Sequence, residues 1–461
     1  MHGMKPLLVL NVVGLTPGLL PHTPRLAALG RAGFTASLGT VLPAVTCSAQ
    51  ATMLTGRLPR DHGIVGNGWY FRDLAEVWLW RQSNALVGCE QEKLWHVGRR
   101  RFGDGFTVAK MFWWYNMYAA VDQAVTPRPI YPADGRKIPS IYTDPPALKG
   151  ELQGRLGRFP LFNFWGPTAD IRSSRWIAAA TRRVMEQERP TVTLCYLPHL
   201  DYDLQRFGPD DPRAVTAAGE IDAVVGRLLD FFAARGVRVL LLSEYGITRV
   251  NRAIPLNRVL RGEGWLTLKD ELGRELLDCG ASRAFALTDH QVAHVYVREP
   301  ALRPAVRARL EATPGVVRVL GEEELRSAGL AHPRSGDLVA VAAEDAWFSY
   351  YHWEDDRRAP DFARCVDIHR KYGYDPVELF LDPALLAPRL TVAAKLLRRK
   401  LGFRGLLDVI PLDASLVRGS HGVCPADAAD WPVLLGAGGG AGDPPLAATE
   451  VHPRLLAACG A

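Results

Sequence analysis

Residues 43–56 read PAVTCSAQATMLTG, and Thr46 stands in this stretch where a predicted strand ends and a predicted helix begins. The N-terminus of a helix offers unpaired N–H groups and the positive end of the helix dipole, and both suit a phosphoryl oxygen. A threonine at this position is also a common helix cap. The stretch therefore predicts either a nucleophilic hydroxyl or a structural cap, and residues elsewhere in the chain have to distinguish the two.

Apolar runs on either side of this stretch predict the fold. Residues 7–13, 191–197 and 237–242 are short, apolar and bounded by turn residues, as buried strands are. Residues 21–30 and 214–235 have the apolar spacing of helices. Buried strands that alternate with helices are typical of a doubly wound, mostly parallel α/β sheet flanked by helices.

Residues 68–165 interrupt this alternation with many aromatic residues and prolines. The sequence leaves two interpretations open: irregular packing around the sheet, or an aromatic wall beside an active site that can stack on a ring. The tryptophans of this segment are Trp69, Trp78, Trp80, Trp95, Trp113, Trp114 and Trp165.

Residues 285–345 form a second interruption, because they read as strand, helix, strand, helix and strand in close succession. This order predicts a small α+β lid inserted into the larger domain. We therefore expect an α/β core built from residues 1–284 and 346–461, an inserted lid subdomain over residues 285–345, and an aromatic-rich excursion over residues 68–165.

Composition excludes several classes of protein. The net charge of +6 lies in short basic runs such as residues 99–101 and 395–400, which favour a solvated surface over a nucleic-acid groove. The seven cysteines show no C-x-x-C spacing, which argues against a disulfide framework or a thiolate metal site. Because no run of about twenty apolar residues exists, we expect no membrane partner and a cytoplasmic location.

Polar residues follow the ends of the predicted strands, where open α/β sheets bind their ligands. Asn11 lies toward the end of the first strand, and Asp201 follows the second buried run. Glu244 and Tyr245 follow the third run, and His421 lies in a Gly-Ser-His-Gly block near the C-terminus. We expect these side chains to meet the hydroxyl of Thr46 at one edge of the sheet.

With these motifs in this order, the chain resembles the alkaline phosphatase superfamily, specifically its nucleotide pyrophosphatase/phosphodiesterase (type I phosphodiesterase) branch. The resemblance covers most of the chain. It rests on three blocks: Thr46 through Thr55-Gly56 to His62-Gly63-Ile64; Asp201 followed by Gly208-Pro209; and Gly419-Ser420-His421-Gly422 followed by Trp431-Pro432-Val433.

The resemblance implies a two-metal site, usually zinc, in which Thr46 is the nucleophile and the amide of Asn67 donates to a phosphoryl oxygen. One ion would hold Thr46 and be bound at positions 11, 244 and 245, and the other at positions 201, 205 and 421. The candidate metal residues of this chain are therefore Asn11, Asp201, Gln205, Glu244, Tyr245 and His421.

Four of these positions depart from the family's pattern. The family has aspartate at position 11, histidine at position 205 and an Asp-His pair at positions 244 and 245. This chain has Asn11, Gln205, Glu244 and Tyr245 instead. Two nitrogen ligands and one carboxylate charge are lost, so the oxygen-rich set favours Mg²⁺, Mn²⁺ or Ca²⁺, or a single ion, over a tight zinc pair.

Other residues are candidates to compensate for these losses. His369 lies in a charged and aromatic segment and is an additional candidate ligand, while His199 and Asp203 flank Asp201. The cations Arg249, Arg370 and Lys371 are candidates to bind phosphate directly.

The sequence therefore predicts a metal-dependent phosphohydrolase that acts on a phosphodiester, a nucleotide pyrophosphate or a related small phosphorylated substrate through a covalent phosphothreonine. Two alternatives stay open at this point. The chain is either a catalytically altered member that only binds a phosphorylated ligand, or a phosphotransferase or isomerase of the same superfamily.

Overall fold

The apolar runs form strands and the amphipathic stretches form helices in the computed structural model of the chain, which describes residues 4–436 and 445–460. The helices are α1 (Pro24–Ala32), α2 (Thr46–Thr55), α3 (Pro59–His62), α4 (Leu94–Phe102), α5 (Ala147–Leu156), α6 (Ile171–Glu188), α7 (His199–Phe207), α8 (Pro212–Ala233), α9 (Leu256–Gly262), α10 (Arg303–Glu311), α11 (Glu322–Ser327), α12 (Pro388–Lys400) and α13 (Val451–Gly460). Short 3-10 turns, among them Pro376–Leu379, lie between these elements.

The strands are β1 (Leu7–Val12), β2 (Phe34–Gly39), β3 (Gly68–Phe71), β4 (Glu76–Leu79), β5 (Val108–Met111), β6 (Gln123–Pro127), β7 (Ile141–Asp144), β8 (Val192–Leu197), β9 (Arg238–Leu242), β10 (Thr248–Arg249), β11 (Arg252–Ile254), β12 (Leu268–Glu271), β13 (Arg274–Leu277), β14 (Ala284–Asp289), β15 (Val292–Val297), β16 (Val316–Leu320), β17 (Leu338–Ala342), β18 (Ala346–Phe348), β19 (Gly419–Ser420), β20 (Val433–Gly436) and β21 (Leu446–Ala447).

Nine strands form the main sheet in the order β21-β2-β20-β9-β1-β8-β5-β6-β7. Strand β1 lies at its centre, parallel to both β8 and β9. Strand β20 is antiparallel to both of its neighbours, and β7 is antiparallel to β6 at one edge. Buried side chains from the sheet and from α6 and α8 form the largest apolar core. The predicted doubly wound, mostly parallel α/β sheet flanked by helices is confirmed.

The aromatic-rich residues 68–165 contribute three strands, β5, β6 and β7, to the main sheet. The predicted excursion therefore includes one edge of the sheet, which the sequence analysis did not anticipate because these strands are short and follow irregular turns. Trp69, Trp95 and Trp113 are fully buried. These three tryptophans fit the interpretation of packing around the sheet. Trp80, Trp114 and Trp165 line the cavity described below and fit the interpretation of an aromatic wall.

The segment predicted as a lid contains β15, α10, β16, α11 and β17 in the expected order. Strand β14 precedes them, and the four strands pair in the antiparallel order β14-β15-β17-β16 over a core of their own. Strand β14 ends at Asp289, which accepts hydrogen bonds from Asn67 in the segment that follows α3. The role of this sheet as a lid remains a prediction.

Within the described residues, none of the helices combines the length and the hydrophobicity that crossing a membrane requires.

Candidate active site

Strand register brings the predicted residues to one edge of the main sheet. Asn11 near the end of β1 pairs with Leu242 at the end of β9, so Asn11 lies next to the turn that holds Glu244 and Tyr245. Asp201 lies in the first turn of α7, directly after β8. The backbone of α2 begins at Thr46, which is 3% exposed. The structure therefore brings together the nucleophile candidate and the strand-end residues, as the spacing predicts.

The hydroxyl of Thr46 belongs to a short chain of hydrogen bonds. Thr46 Oγ1 lies 3.1 Å from the hydroxyl oxygen of Tyr245. The Tyr245 hydroxyl donates its hydrogen to Asp201 Oδ1 over 3.1 Å. A phenol has one hydrogen to donate, so while Tyr245 donates to Asp201 the Thr46 hydroxyl can donate to Tyr245. Thr46 also hydrogen-bonds Glu244, which is a second acceptor for its hydrogen. The arrangement gives the threonine proton a directed route toward a carboxylate.

Asp201 is held from its other side by two neutral groups. Gln205 Nε2 donates to Asp201 Oδ2 over 2.7 Å, and the hydroxyl of Tyr374 donates to Gln205 Oε1 over 2.9 Å. Burial raises the pKa of Asp201 to about 7, although the hydrogen bonds from Tyr245 and Gln205 oppose this shift. The side-chain amide at position 205 therefore orients the carboxylate.

Glu244 is surrounded by side-chain amides. Its Oε1 atom accepts hydrogen bonds of 2.5 Å from both Asn11 Nδ2 and Gln50 Nε2. Gln50 in turn accepts a hydrogen bond from the backbone N–H of Trp114. Burial raises the pKa of Glu244 to about 8, and the bonds from Gln50 and Asn11 oppose this shift.

A row of four rings, in the order Tyr245, His421, His290 and Tyr374, forms the opposite side of the site. The rings of Tyr245 and His421 stack with centroids 3.5 Å apart, and His290 lies 3.6 Å from His421 and 3.8 Å from Tyr374. His421 Nδ1 bonds to the backbone oxygen of Ala44 over 2.8 Å, which makes it the protonated nitrogen. Burial lowers the pKa of His421 to about 3, so the ring is neutral.

Asn67 is engaged by the protein itself. Its Oδ1 atom accepts a hydrogen bond from the backbone N–H of Cys47 in the first turn of α2, and its Nδ2 atom donates to Asp289 Oδ1 over 2.9 Å. The amide group has a second hydrogen, so a bond from Asn67 to a phosphoryl oxygen is compatible with this geometry. Donation from Asn67 to substrate stays a prediction.

The additional candidates lie outside this network. His369 bonds to the backbone oxygen of Leu79 on the cavity wall. Asp203 accepts a hydrogen bond from Arg206. His199 Nε2 lies 3.0 Å from Glu220 Oε2, so this ring faces α8.

The predicted phosphate-binding cations have carboxylate partners. The buried ammonium group of Lys371 contacts Asp375 at 2.7 Å and Glu378 at 2.8 Å, so its charge is already compensated. Arg249 is paired with Asp210, and Arg370 with Asp361. Binding of phosphate by Lys371 would have to displace these two carboxylates, which the sequence does not place beside it.

The residues of the site do not fit the zinc pair of the family. Within residues 4–436 and 445–460, no group of three His, Cys, Asp or Glu side chains is arranged to hold a metal ion. Each predicted ion keeps a single carboxylate, Glu244 or Asp201, and amide or phenol hydrogens already occupy three of their four oxygens. Among the buried acceptors left without a hydrogen-bond partner are Asn11 Oδ1, Glu244 Oε2 and His421 Nε2, of which only the Glu244 oxygen belongs to a carboxylate. This donor set lacks the negative charge that two divalent ions need.

Sequence reasoning missed four residues of the network: Gln50, Asp289, His290 and Tyr374. The spacing of Gln50 gave a usable signal, because it lies one helical turn after Thr46 and so shares its face of α2. The sequence contains no comparable signal for His290 and Tyr374. They are distant in sequence and are brought together by the bridge between Thr288 and Gly373.

A cavity of about 1150 Å³ opens above this network. Its base includes Thr46, Asp201 and Tyr245, and its walls include the aromatic side chains Trp80, Trp114, Tyr131, Phe164 and Trp165. Cations also line it, namely Arg81, Arg128, Arg136, Lys137, Arg370 and Lys400. The cavity is large enough for a small phosphorylated molecule and suits an anionic one.

Solved structures of similar fold bind small phosphorylated molecules. An inactive variant of murine ectonucleotide pyrophosphatase/phosphodiesterase 5, in complex with AMP, superposes with a TM-score of 0.59 at 16% identity and covers 99% of this chain and 95% of that one. Phosphonoacetate hydrolase from Sinorhizobium meliloti 1021, in complex with phosphonoacetate, superposes with a TM-score of 0.62 at 16% identity, covering 99% and 96%. At this identity the similarity shows the alkaline-phosphatase-like fold.

Sequence comparison assigns the family. A curated relative is an uncharacterized pyrophosphatase/phosphodiesterase of Schizosaccharomyces pombe, 24% identical over 223 residues, which are 47% of this chain and 39% of the relative. The match thus spans about two fifths of that relative's length. The family model for type I phosphodiesterase / nucleotide pyrophosphatase matches residues 7–375. The chain therefore belongs to the type I phosphodiesterase/nucleotide pyrophosphatase family.

Proposed function

We propose that this protein hydrolyses a phosphodiester, a nucleotide pyrophosphate or a related small phosphate ester by attack of the Thr46 hydroxyl. One observation carries the proposal: the Thr46 hydroxyl lines the cavity within hydrogen-bond distance of the Tyr245 hydroxyl, which itself donates to Asp201. A threonine that only capped the helix would occupy its N-cap position, whereas the N-cap of α2 is Val45 and Thr46 is the first helical residue.

In the first step, Thr46 Oγ1 forms a bond to phosphorus and the bond to the leaving oxygen breaks, with the electron pair staying on that oxygen. The Thr46 proton passes to the Tyr245 hydroxyl while Tyr245 passes its own proton to the Asp201 carboxylate. A leaving alkoxide takes a proton from water, and a leaving phosphate needs none. In the second step, the oxygen of a water molecule forms a bond to phosphorus and the bond from phosphorus to Thr46 Oγ1 breaks. The proton held by Asp201 returns through Tyr245 to Thr46 Oγ1, and the attacking water releases one proton to solvent.

Charge on the phosphoryl group is balanced by groups that the cavity supplies. The N-terminal turn of α2 presents the positive end of its dipole beside Thr46. Arg81, Arg128 and Lys137 line the walls and attract an anion. These groups support binding of a phosphate ester by a site that does not fit the zinc pair of the family. Dependence on another divalent ion, and the cytoplasmic location, remain predictions from the sequence.

The experiment is turnover of bis(4-nitrophenyl) phosphate and of a dinucleotide pyrophosphate by the purified chain, compared with Thr46→Ala and Thr46→Ser. Removal of a nucleophile lowers kcat by at least about 10³-fold, so Thr46→Ala is expected to be inactive. Thr46→Ser keeps a hydroxyl and is expected to retain measurable turnover. Equal turnover by the wild type and Thr46→Ala refutes the proposal. A wild type that binds AMP without turning over either ester indicates a binding protein instead.

A further inference from the structure

Helix α12 carries an apolar stripe that faces solvent. Leu390, Leu397 and Leu401 follow one another at helical spacing and are 72%, 57% and 67% exposed. Leu386 and Phe403 extend the same stripe at the two ends of the helix and are also exposed. We call these five side chains the leucine stripe. A contiguous apolar patch of this kind on a surface helix marks an interaction site.

The opposite face of α12 is a wall of the catalytic cavity. Val392 and Leu396 line the cavity that has Thr46 at its base. Two polar contacts hold this segment in place: Lys395 pairs with Asp408, and Arg404 donates to the backbone oxygen of Ala133 over 3.2 Å. Whatever binds the leucine stripe therefore lies directly beside the cavity.

The segment around α12 is strongly basic. Residues 383–407 contain six lysines and arginines and no aspartate or glutamate. The chain has 55 basic and 49 acidic residues, so the remainder is balanced at 49 of each. Arg398 and Lys400 are exposed and flank the stripe. An exposed leucine face bordered by cations is typical of a helix that lies in the interface of an anionic membrane.

We propose that the leucine stripe binds the surface of an anionic lipid bilayer, with α12 lying parallel to it. A second copy of this chain would bring two segments of equal positive charge together, and this repulsion disfavours it as the occupant. The absence of an apolar run long enough to span a bilayer predicts no membrane partner, but a helix that lies at the membrane surface does not need such a run. A chain bound in this way has its cavity beside the membrane, from which the cavity can take an amphiphilic phosphate ester. This consequence rests on the proposed function.

The experiment is co-sedimentation of the full chain with vesicles of phosphatidylcholine alone or with about one third phosphatidylglycerol. We expect binding to the anionic vesicles, a loss of at least about tenfold on pure phosphatidylcholine, and weakening in about 0.5 M salt. The double variant Leu390→Glu/Leu397→Glu is expected to bind at least about tenfold more weakly. Leu74→Glu/Leu272→Glu is the matched control, because both leucines are exposed at the turns of β3–β4 and β12–β13.

Thermal unfolding and turnover of the soluble nitrophenyl ester are measured on both double variants, and neither should change, since all four leucines are exposed. Wild type that fails to hydrolyse the soluble ester but binds anionic vesicles refutes the proposed function and supports the docking surface. The docking proposal is refuted if the wild type does not sediment with anionic vesicles, or if Leu390→Glu/Leu397→Glu binds as well as the control. Light scattering can also detect a dimer of the chain. If the wild type forms a dimer that Leu390→Glu/Leu397→Glu abolishes, and does not bind vesicles, then the stripe binds a second copy and the docking proposal is refuted.

Discussion

At the scale of single residues, Tyr245 is the side chain that connects the two halves of the site. Its hydroxyl lies between Thr46 Oγ1 and Asp201 Oδ1, and its ring stacks on His421. The family has a metal-binding histidine at this position, whereas tyrosine adds a hydroxyl that both accepts and donates a hydrogen bond. Tyr245 thus places a hydroxyl between Thr46 and Asp201 at a position where the resemblance implies a metal ligand.

Tyr245→Phe removes that bridge while it keeps the ring stack. We expect kcat for the nitrophenyl diester to fall by about 10²-fold with little change in KM, because Thr46 loses its proton acceptor. The free energy of unfolding should fall by about 1 kcal/mol through the lost hydrogen bonds. The control is Tyr350→Phe, since the buried Tyr350 hydroxyl has no hydrogen-bond partner among the described residues. Equal turnover by the two variants contradicts the role of Tyr245.

Asp289 makes stability depend on pH. Burial raises the pKa of this carboxyl from 3.8 to about 7, although two bonds from Asn67 oppose the shift. Between these values the unfolded chain has lost the proton that the folded chain keeps. The stabilising contribution of Asp289 is therefore complete below about pH 4, is lost as pH rises toward 7, and is absent above that.

Asp289→Asn should remove this contribution, which has a slope of about 1.4 kcal/mol per pH unit within that window. Urea unfolding at several pH values from 4 to 7 measures the slope for wild type and variant. Asp211→Asn is the control, because hydrogen bonds from Arg213 lower the pKa of Asp211 to about 2 and its effect is confined to acid. An identical slope in the wild type and Asp289→Asn would show that Asp289 does not titrate in this range.

At the scale of elements, the site depends on a contact between two segments that are distant in sequence. The end of β14 meets residues 373 and 374 through the bridge between Thr288 and Gly373 and a bond from the Tyr374 N–H to the Thr288 oxygen. This contact places the Tyr374 ring in a stack with His290 and its hydroxyl within hydrogen-bond distance of Gln205. The inserted sheet therefore helps to orient Asp201 through Gln205.

Gly373→Ala tests this contact. An added Cβ would lie 2.2 Å from Thr288 Oγ1 and 2.8 Å from the Thr288 backbone oxygen, so the two segments would have to separate. We expect a destabilisation of about 1–3 kcal/mol and lower turnover, because Tyr374 moves away from Gln205. Gly150→Ala is the matched control, since it lies inside α5 with no atom within 4 Å of the added Cβ and should stabilise the chain by up to about 1 kcal/mol. Thermal unfolding and turnover report both effects, and equal behaviour of the two variants contradicts the argument.

At the scale of the whole molecule, the buried polar network is held by the fold itself. Hydrogen bonds from amides and phenols hold the Asp201 and Glu244 carboxylates, and the strands behind them are fully buried. A site built in this way does not need ions to hold its shape, whereas a metal site in which carboxylates face one another loses stability when the ions are removed.

Metal removal tests this property of the molecule. We expect elemental analysis to find no stoichiometric zinc in the purified chain, and thermal unfolding to have the same midpoint before and after dialysis against EDTA. Two equivalents of bound zinc, or a midpoint that falls on chelation and recovers with Zn²⁺, would show that the substituted residues still form the metal pair of the family.

The sequence by itself determined the fold class, because short apolar runs bounded by turns are sufficient to identify β1, β8 and β9 as buried parallel strands. It also determined the edge at which Thr46, Asp201 and Glu244 meet, since parallel strands bring their carboxyl ends to the same side of a sheet. Motif order added the family, which the match over residues 7–375 bears out.

Only the tertiary structure decided what the substituted residues do. The direction in which Asn11 and Gln205 point their amide hydrogens, and the position of the Tyr245 hydroxyl between Thr46 and Asp201, depend on packing between segments up to 233 residues apart. The partners Asp289, His290 and Tyr374 come from the inserted sheet and from a late loop, and no local spacing relates them. Sequence patterns record which face a residue occupies, whereas hydrogen-bond direction is set by the atoms that surround it in three dimensions.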